Sequence, residues 1–305
     1  APLDAEIQNN LGNTYEELGR SVEAEASFRR AIELSPNSGV SYYNLGITQQ
    51  RSGRLEEAED SLRQSLALSP DFFEAHNNLG LILQELGRLS EAESSFRYAI
   101  EQKPDYDEAY NNLGVMLKEL GKLEEAEASI RQAIVLNSNF GEAYSNLGNL
   151  LRDLGKFKDA EVSFRQAISL IPNFAVAHNN LGITLQELGH LPEAEASFKR
   201  AIDLKPSYAE AYYNLGSTLH EHGLLESAEE YLKQAIDLKS DYAEAHYNLA
   251  NTLEDLARPN EAEKSYRKAI MLKPEYAEAH SNLGALLLKS GRHREGIIEE
   301  AIGDG

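Results

Sequence analysis

The chain has 305 residues, with 50 acidic against 29 basic side chains, a formal charge of −21 and no cysteine. That excess of carboxylates works against a phosphate backbone, which needs clustered Lys and Arg, so nucleic acid and anionic membrane are poor partners. No disulfide or thiolate chemistry can be built, which fixes no compartment; no apolar run approaches the roughly 20 residues of a membrane span and no signal-peptide pattern opens the chain, so the location is left unknown with the cytoplasm as the leading expectation.

The sequence is periodic. Asn-Leu-Gly or Asn-Leu-Ala recurs at Asn10, Asn44, Asn78, Asn112, Asn146, Asn180, Asn214, Asn248 and Asn282, always 34 residues apart. A fixed period of this length marks a stacked repeat array. Ala1-Pro2-Leu3-Asp4 runs directly into it, which reads as an excised fragment. Full repeats are expected at 5–38, 39–72, 73–106, 107–140, 141–174, 175–208, 209–242 and 243–276, with a partial or capping ninth at 277–305.

Each repeat carries two helical stretches. In the fourth, Ala109, Tyr110, Leu113, Leu117 and Leu120 follow helical spacing, and Gly121 supplies a residue that tolerates the left-handed stop of a first helix, A. Helix B restarts near Leu123. Its Ala126, with equivalents at 24, 58, 92, 160, 194, 228 and 262, admits close approach of the two helices. The large residue four later (Phe28, Leu62, Phe96, Ile130, Phe164, Phe198, Leu232, Tyr266) is expected to fill the gap between units. Proline closes helix B at 36, 70, 104, 172, 206 and 274, because it cannot continue a helix.

Asp71-x-x-Glu74, Asp105-x-x-Glu108 and Asn139-x-x-Glu142 then resemble capping boxes. On helix B, Glu25/Arg29 and its seven equivalents at i,i+4 predict a solvated, ion-paired outer face.

The Leu-Gly of helix A, the two alanines and large residue of helix B and the terminal proline together resemble the tetratricopeptide repeat over residues 5 to about 295. The tryptophan usual in helix A is replaced by tyrosine or histidine. The resemblance implies an all-α, right-handed superhelical solenoid with A helices lining its concave wall. Within that family the recurring asparagine looks like the tetratricopeptide region of O-linked N-acetylglucosamine transferases, whose asparagine ladder binds protein substrates. It implies that Asn10, Asn44, Asn78, Asn112, Asn146, Asn180, Asn214, Asn248 and Asn282 face one groove.

A carboxamide donates and accepts, which matches a peptide backbone whatever its side chains. The competing reading of the ladder is that the asparagines bond neighbouring helices and hold the array together. Near the end of helix A an acidic stripe, Glu17, Glu85, Glu119, Asp153, Glu187, Glu221 and Asp255, is interrupted by Arg51 and Lys289 and would favour a basic ligand. Aromatics before helix A (Phe72, Tyr106, Tyr242, Tyr276) are expected to pack between repeats. The helix-A histidines 76, 178, 246 and 280 are expected to be structural. His220 and His222 point to different helix faces, which argues against a metal site there.

No nucleophile-base pair, phosphate loop or metal cluster appears, so neither catalysis nor a cofactor is expected of this chain. No residue just before the ladder is basic, which disfavours a clamp for acidic C-termini. The C-terminal stretch, with Gly296 in place of alanine, reads as a divergent cap or the lead-in to a further domain. Weak self-association through the array ends is expected. The leading expectation is a protein-interaction scaffold holding an extended, basic polypeptide; the alternative is the substrate-recognition arm of a larger glycosyltransferase.

Overall fold

The computed structural model describes residues 2–303. Among the described residues every regular element is a helix, and the helices alternate as A and B members of successive hairpins. The A helices are α1 (Pro2–Glu17), α3 (Gly39–Arg51), α5 (Phe73–Glu85), α7 (Asp107–Glu119), α9 (Gly141–Asp153), α11 (Ala175–Glu187), α13 (Ala209–Glu221), α15 (Ala243–Asp255) and α17 (Ala277–Lys289). The B helices are α2 (Ser21–Leu34), α4 (Leu55–Leu68), α6 (Leu89–Gln102), α8 (Leu123–Leu136), α10 (Phe157–Leu170), α12 (Leu191–Leu204), α14 (Leu225–Leu238), α16 (Pro259–Leu272) and α18 (His293–Gly303). Two compact units divide the chain, residues 1–150 and 151–305. In the first, α1 to α7 pack each on the next, and each A helix also meets the following A helix. The second unit repeats that arrangement from α10 to α18, with A-to-A contact from α11 to α15.

The tight turn inside each hairpin follows from one backbone conformation. Gly121 has φ 72°, the Gly121 amide donates to the Lys118 carbonyl at 2.9 Å, and the Lys122 amide reaches back to the Leu117 carbonyl at 2.9 Å. Those bonds satisfy carbonyls that the end of α7 would leave open. In the eighth hairpin the same bonds form around Ala257, at φ 56°, where a Cβ makes this region costly.

Packing within a hairpin is set by a missing side chain. A Cβ placed on Gly80 would lie 2.7 Å from the Phe96 ring, and one on Gly216 would lie 2.7 Å from Leu232 Cγ. The large helix-B residue therefore lies on the helix-A glycine of its own hairpin, and it also reaches the next hairpin. Ala24, Phe28 and Leu45 share one core cluster, as do Leu232 and Leu249. The expected gap between units is thus only half of this residue's task. Phe28, Phe96, Phe164 and Phe198 are fully buried, each at about 1.5–3 kcal/mol relative to exposure.

The capping boxes are corrected by the structure. The N-cap residues of α5 and α7 are Phe72 and Tyr106, and neither helix has a side-chain cap bond. Asp71 and Asp105 lie in the turn one residue too early to reach the first free amides. The N-cap position is instead given to an aromatic that packs backwards: Phe72 lies 4.8 Å from the Tyr43 ring, Tyr242 4.9 Å from Tyr213, and Tyr276 5.0 Å from Tyr247. At the start of α3 there is a conventional cap, Ser38 Oγ accepting from the Ser41 amide at 3.3 Å.

The outer ion pairs do more than decorate a solvated face. Arg29 meets Glu25 at 2.8 Å as expected, but Arg54 of the next hairpin also meets Glu25, at 2.5 Å. Glu57 closes the ring with Arg54 at 3.3 Å and Arg29 at 3.7 Å. The same bracket joins Glu59 and Glu91 through Arg63 and Arg88, and Glu263 and Glu295 through Arg267 and Arg292. The central glutamates are mostly covered (Glu25 17% exposed, Glu59 12%), so these networks are screened less than isolated surface pairs.

Two outcomes follow from this geometry. Ala257→Gly is expected to raise stability by about 0.5–1 kcal/mol, read from the denaturant midpoint, because it removes a strained φ; a lower midpoint would contradict the strain. The hydrogen bond from Arg54, with a smaller one from Arg29, holds the Glu25 carboxyl below its ordinary 4.5, and Lys122 acts likewise on Glu93. A depressed carboxylate stabilises the folded state fully above the ordinary value, and that stability is lost as pH falls through the folded value. Thermal melts between about pH 6 and 3 should show this loss, and Glu25→Gln with Glu93→Gln should flatten it.

Candidate binding face

Apart from Asn10 the ladder asparagines are partly buried, and seven of them use their amide nitrogens inside the array. In the first unit Asn44 Nδ2 donates to Asn9 Oδ1 at 3.1 Å and Asn13 Oδ1 at 3.2 Å, and Asn78 donates to the Tyr43 hydroxyl at 2.8 Å. Asn112 donates to Asn77 at 3.1 Å and Asn146 to Asn111 at 2.9 Å. In the second unit Asn214 donates to Asn179 at 3.0 Å, Asn248 to Tyr213 at 3.3 Å and Ser217 at 2.8 Å, and Asn282 to Tyr247 at 3.1 Å and Asn251 at 3.0 Å. Asn180 Oδ1 accepts a long 3.5 Å bond from Asn179, and Asn10, on the first helix, is exposed.

The recurring acceptor is thus the residue just before the preceding ladder position, 35 residues back. Asn77, Asn111 and Asn179 in that role are themselves buried, at 3%, 7% and 4% exposure. Sequence reasoning missed this partner, although the offset is written in the repeat. The structure therefore gives the ladder an inter-helix role. At Asn44, Asn78, Asn146, Asn214 and Asn248 the side-chain carbonyl accepts no protein hydrogen bond among the described residues.

All seven acidic-stripe residues, Glu17, Glu85, Glu119, Asp153, Glu187, Glu221 and Asp255, are exposed. Several join a second set of contacts at the same offset: Gln50 Nε2 to Glu85 at 3.1 Å, Gln186 Nε2 to Glu221 at 3.0 Å, and His220 Nε2 with Asp255 at 2.9 Å. Arg51 and Lys289 are polarity reversals within it, because Arg51 meets Glu16 and Lys289 meets Glu254, each at 2.7 Å.

Three hollows bring ladder and stripe together. One of 510 Å³ is lined by Asn112 and Asn146 with Glu85 and Glu119, alongside Gln84 and Val115. A second, of 360 Å³, places Asn44 beside Glu17 and Arg51, and a third, of 300 Å³, places Asn282 beside Asp255, His220 and Lys289. None of the three is lined by Asn10, Asn78, Asn180, Asn214, Asn248, Asp153, Glu187 or Glu221.

The helix-A histidines are tied to backbone: His76 Nε2 donates to the Pro70 carbonyl at 2.8 Å, and His280 Nε2 to that of Pro274 at 2.9 Å. Burial holds His76, His178 and His246 below the ordinary histidine value. Among the described residues no group of His, Asp and Glu could hold a metal ion, and no helix is long and apolar enough to cross a membrane.

This is the architecture of a helical-hairpin repeat protein, and sequence models agree. Tetratricopeptide repeat models match residues 3–71, 43–107 and 179–243, and 107–140 and 141–174; a further repeat model of the same class matches 259–291. The chain belongs to the tetratricopeptide repeat family.

Among solved structures it is similar to YrrB, described as a tetratricopeptide protein with an unusual peptide-binding site, at 26% identity and TM-score 0.52, over 60% of this chain and 95% of that one. It also resembles a chain of the APC/C hetero-tetramer Cut9-Hcn1 (18% identity, TM-score 0.68) over 88% of this chain and 52% of that one, so it spans about half that length. A tetratricopeptide repeat protein from Parabacteroides merdae matches at 20% identity and TM-score 0.63, over 82% of this chain and 99% of that one. Comparison with curated protein sequences gives no significant match.

Asn112→Ala should cost about 1–2 kcal/mol, because it strips the donor from the buried Asn77 Oδ1. Asn10→Ala, at an exposed position, should stay within about 0.5 kcal/mol of the parent. Equal midpoints for the two variants in chemical denaturation would remove the structural role assigned to the ladder.

Proposed function

We propose that the array is a protein-interaction scaffold that receives an extended polypeptide along its A-helix face, with a preference for basic segments. The observation that carries this reading is the 510 Å³ hollow, where Asn112 and Asn146 stand beside the exposed carboxylates Glu85 and Glu119. Side-chain carbonyls not consumed by the array, such as that of Asn146, offer acceptors to a peptide amide. Neighbouring A helices packed roughly 8–10 Å apart would present one rung to about every third residue of a strand that advances about 3.3 Å per residue. The likeness to YrrB, whose structure is described as having a peptide-binding site, supports the same assignment.

Fluorescence anisotropy with labelled lysine-rich and glutamate-rich peptides of equal length tests it. The basic peptide should bind more tightly, weaken with added salt, and lose roughly three- to tenfold in affinity when Glu85→Gln and Glu119→Gln are combined. Both substitutions lie at exposed positions, so folding should be retained. Equal affinity for the two peptides, or a double variant indistinguishable from the parent, would defeat the charge preference; a parent that binds neither would defeat the groove.

A further inference from the structure

In a repeat array, residues that recur serve interfaces that every unit must make. A hollow whose polar residues do not recur together is therefore a candidate for a task of its own. One lies in the second unit, an open groove of 410 Å³ lined by α10, α11 and α12. Its walls carry Arg165, Ser169, His178 and Arg200, over apolar surface from Ile168 and Leu181. In a chain of charge −21 no carboxylate lines it, whereas each of the three hollows on the A-helix face has two.

The two guanidinium groups differ. Arg165 is neutralised by Glu161 and Glu193, at 2.8 Å each. Arg200 is exposed and makes no ion pair among the described residues, and Asp203, one turn further along α12, does not engage it. The equivalent Arg30 of the first hairpin, by contrast, is paired with Glu33 at 2.7 Å. The Ser169 hydroxyl is likewise without a hydrogen bond among the described residues. His178 donates its Nε2 proton to the Pro172 carbonyl at 3.3 Å, which fixes the ring at the groove wall.

The corresponding positions elsewhere do not make this set. One repeat earlier, Ser169, His178 and Arg200 become Val135, Tyr144 and Gln166; one repeat later they become Asp203, Tyr212 and Gln234. In the third hairpin Tyr98 stands at the Arg200 position and stacks on His76 at 4.2 Å.

We propose that this groove binds a small organic anion, a carboxylate or phosphate monoester on a compact apolar body. Arg200 is its charge partner, Ser169 donates a hydrogen bond, and Ile168 and Leu181 meet the apolar body. A guanidinium not spent on an internal carboxylate is suited to either head group, because its fork of N–H donors matches two oxygens at once. The volume lies in the usual range for small-molecule sites, about 300–1,000 Å³.

The test uses phenyl phosphate and benzoate as probes, inorganic phosphate as control, and the His178 ring resonances as a local reporter in NMR titration. At least one aromatic probe should give a saturable shift of His178, and the tighter of the two identifies the head group. Arg200→Gln, an exposed substitution whose folding is checked by circular dichroism, should weaken that binding at least tenfold. No saturable shift at roughly 20 mM probe would overturn the proposal. Unchanged affinity in Arg200→Gln would overturn it as well, and so would inorganic phosphate binding as tightly as phenyl phosphate.

Discussion

Most hairpins depend on the contact between a helix-A position without a side chain and a large helix-B residue lying over it. A Cβ at Gly182 would come within 2.5 Å of the Phe198 ring, so the two helices are held closer than any side chain on that glycine would allow. The same aromatic reaches forward into the next hairpin, as Phe28 does to Leu45, and this makes hairpin closure and array growth one packing problem. That coupling explains a period without insertions, since one added residue would turn either the glycine or its cover away from the seam. The eighth hairpin shows how much freedom remains. Ala250 replaces glycine there and is fully buried, and its cover Tyr266 donates its hydroxyl to Asn251 Oδ1 at 2.6 Å.

Polar contacts then fix the register on both faces. On the outside, Arg54 reaches Glu25 across 29 residues; on the inside, Asn112 reaches Asn77 across 35. Both offsets join only adjacent hairpins, so stability is built from nearest-neighbour terms. These terms are unequal. Glu195 of α12 has Lys199 as its partner, and Leu224 occupies the position that Arg54 or Arg258 holds in other hairpins. That junction lacks the outer bracket and rests on packing and the inner contacts.

The fold was legible because its determinants repeat as letters: the Asn-Leu-Gly, the alanines, the prolines and the i,i+4 pairs of helix B. The ladder's acceptors were hidden because they repeat as chemistry. Asn77, Tyr43 and Tyr247 all accept from the next rung, yet no shared letter marks them. The outer brackets escaped notice for a related reason, since Glu25 and Arg54 belong to different repeats and only stacking brings them together. The capping boxes failed by one residue, a shift that spacing alone does not resolve, because the structure gives the N-cap to the aromatic that stacks on the preceding hairpin.

Recurrence in such an array is consequently weak evidence of ligand contact. A residue present in every hairpin is one that every interface can use, and the amide nitrogens of the ladder are so used. What the interface leaves over is more informative: the open carbonyl of Asn146 beside Glu119, and the unpaired Arg200 in a groove without carboxylates. The first is a remainder common to several rungs and suits a ligand that itself repeats, such as a polypeptide backbone. The second occurs once and suits a ligand that need be held at one place only. On the two proposals, periodic and solitary chemistry would divide the molecule between two kinds of recognition, and the physical distinction would be whether a polar group is already consumed by the neighbour that the repeat guarantees it.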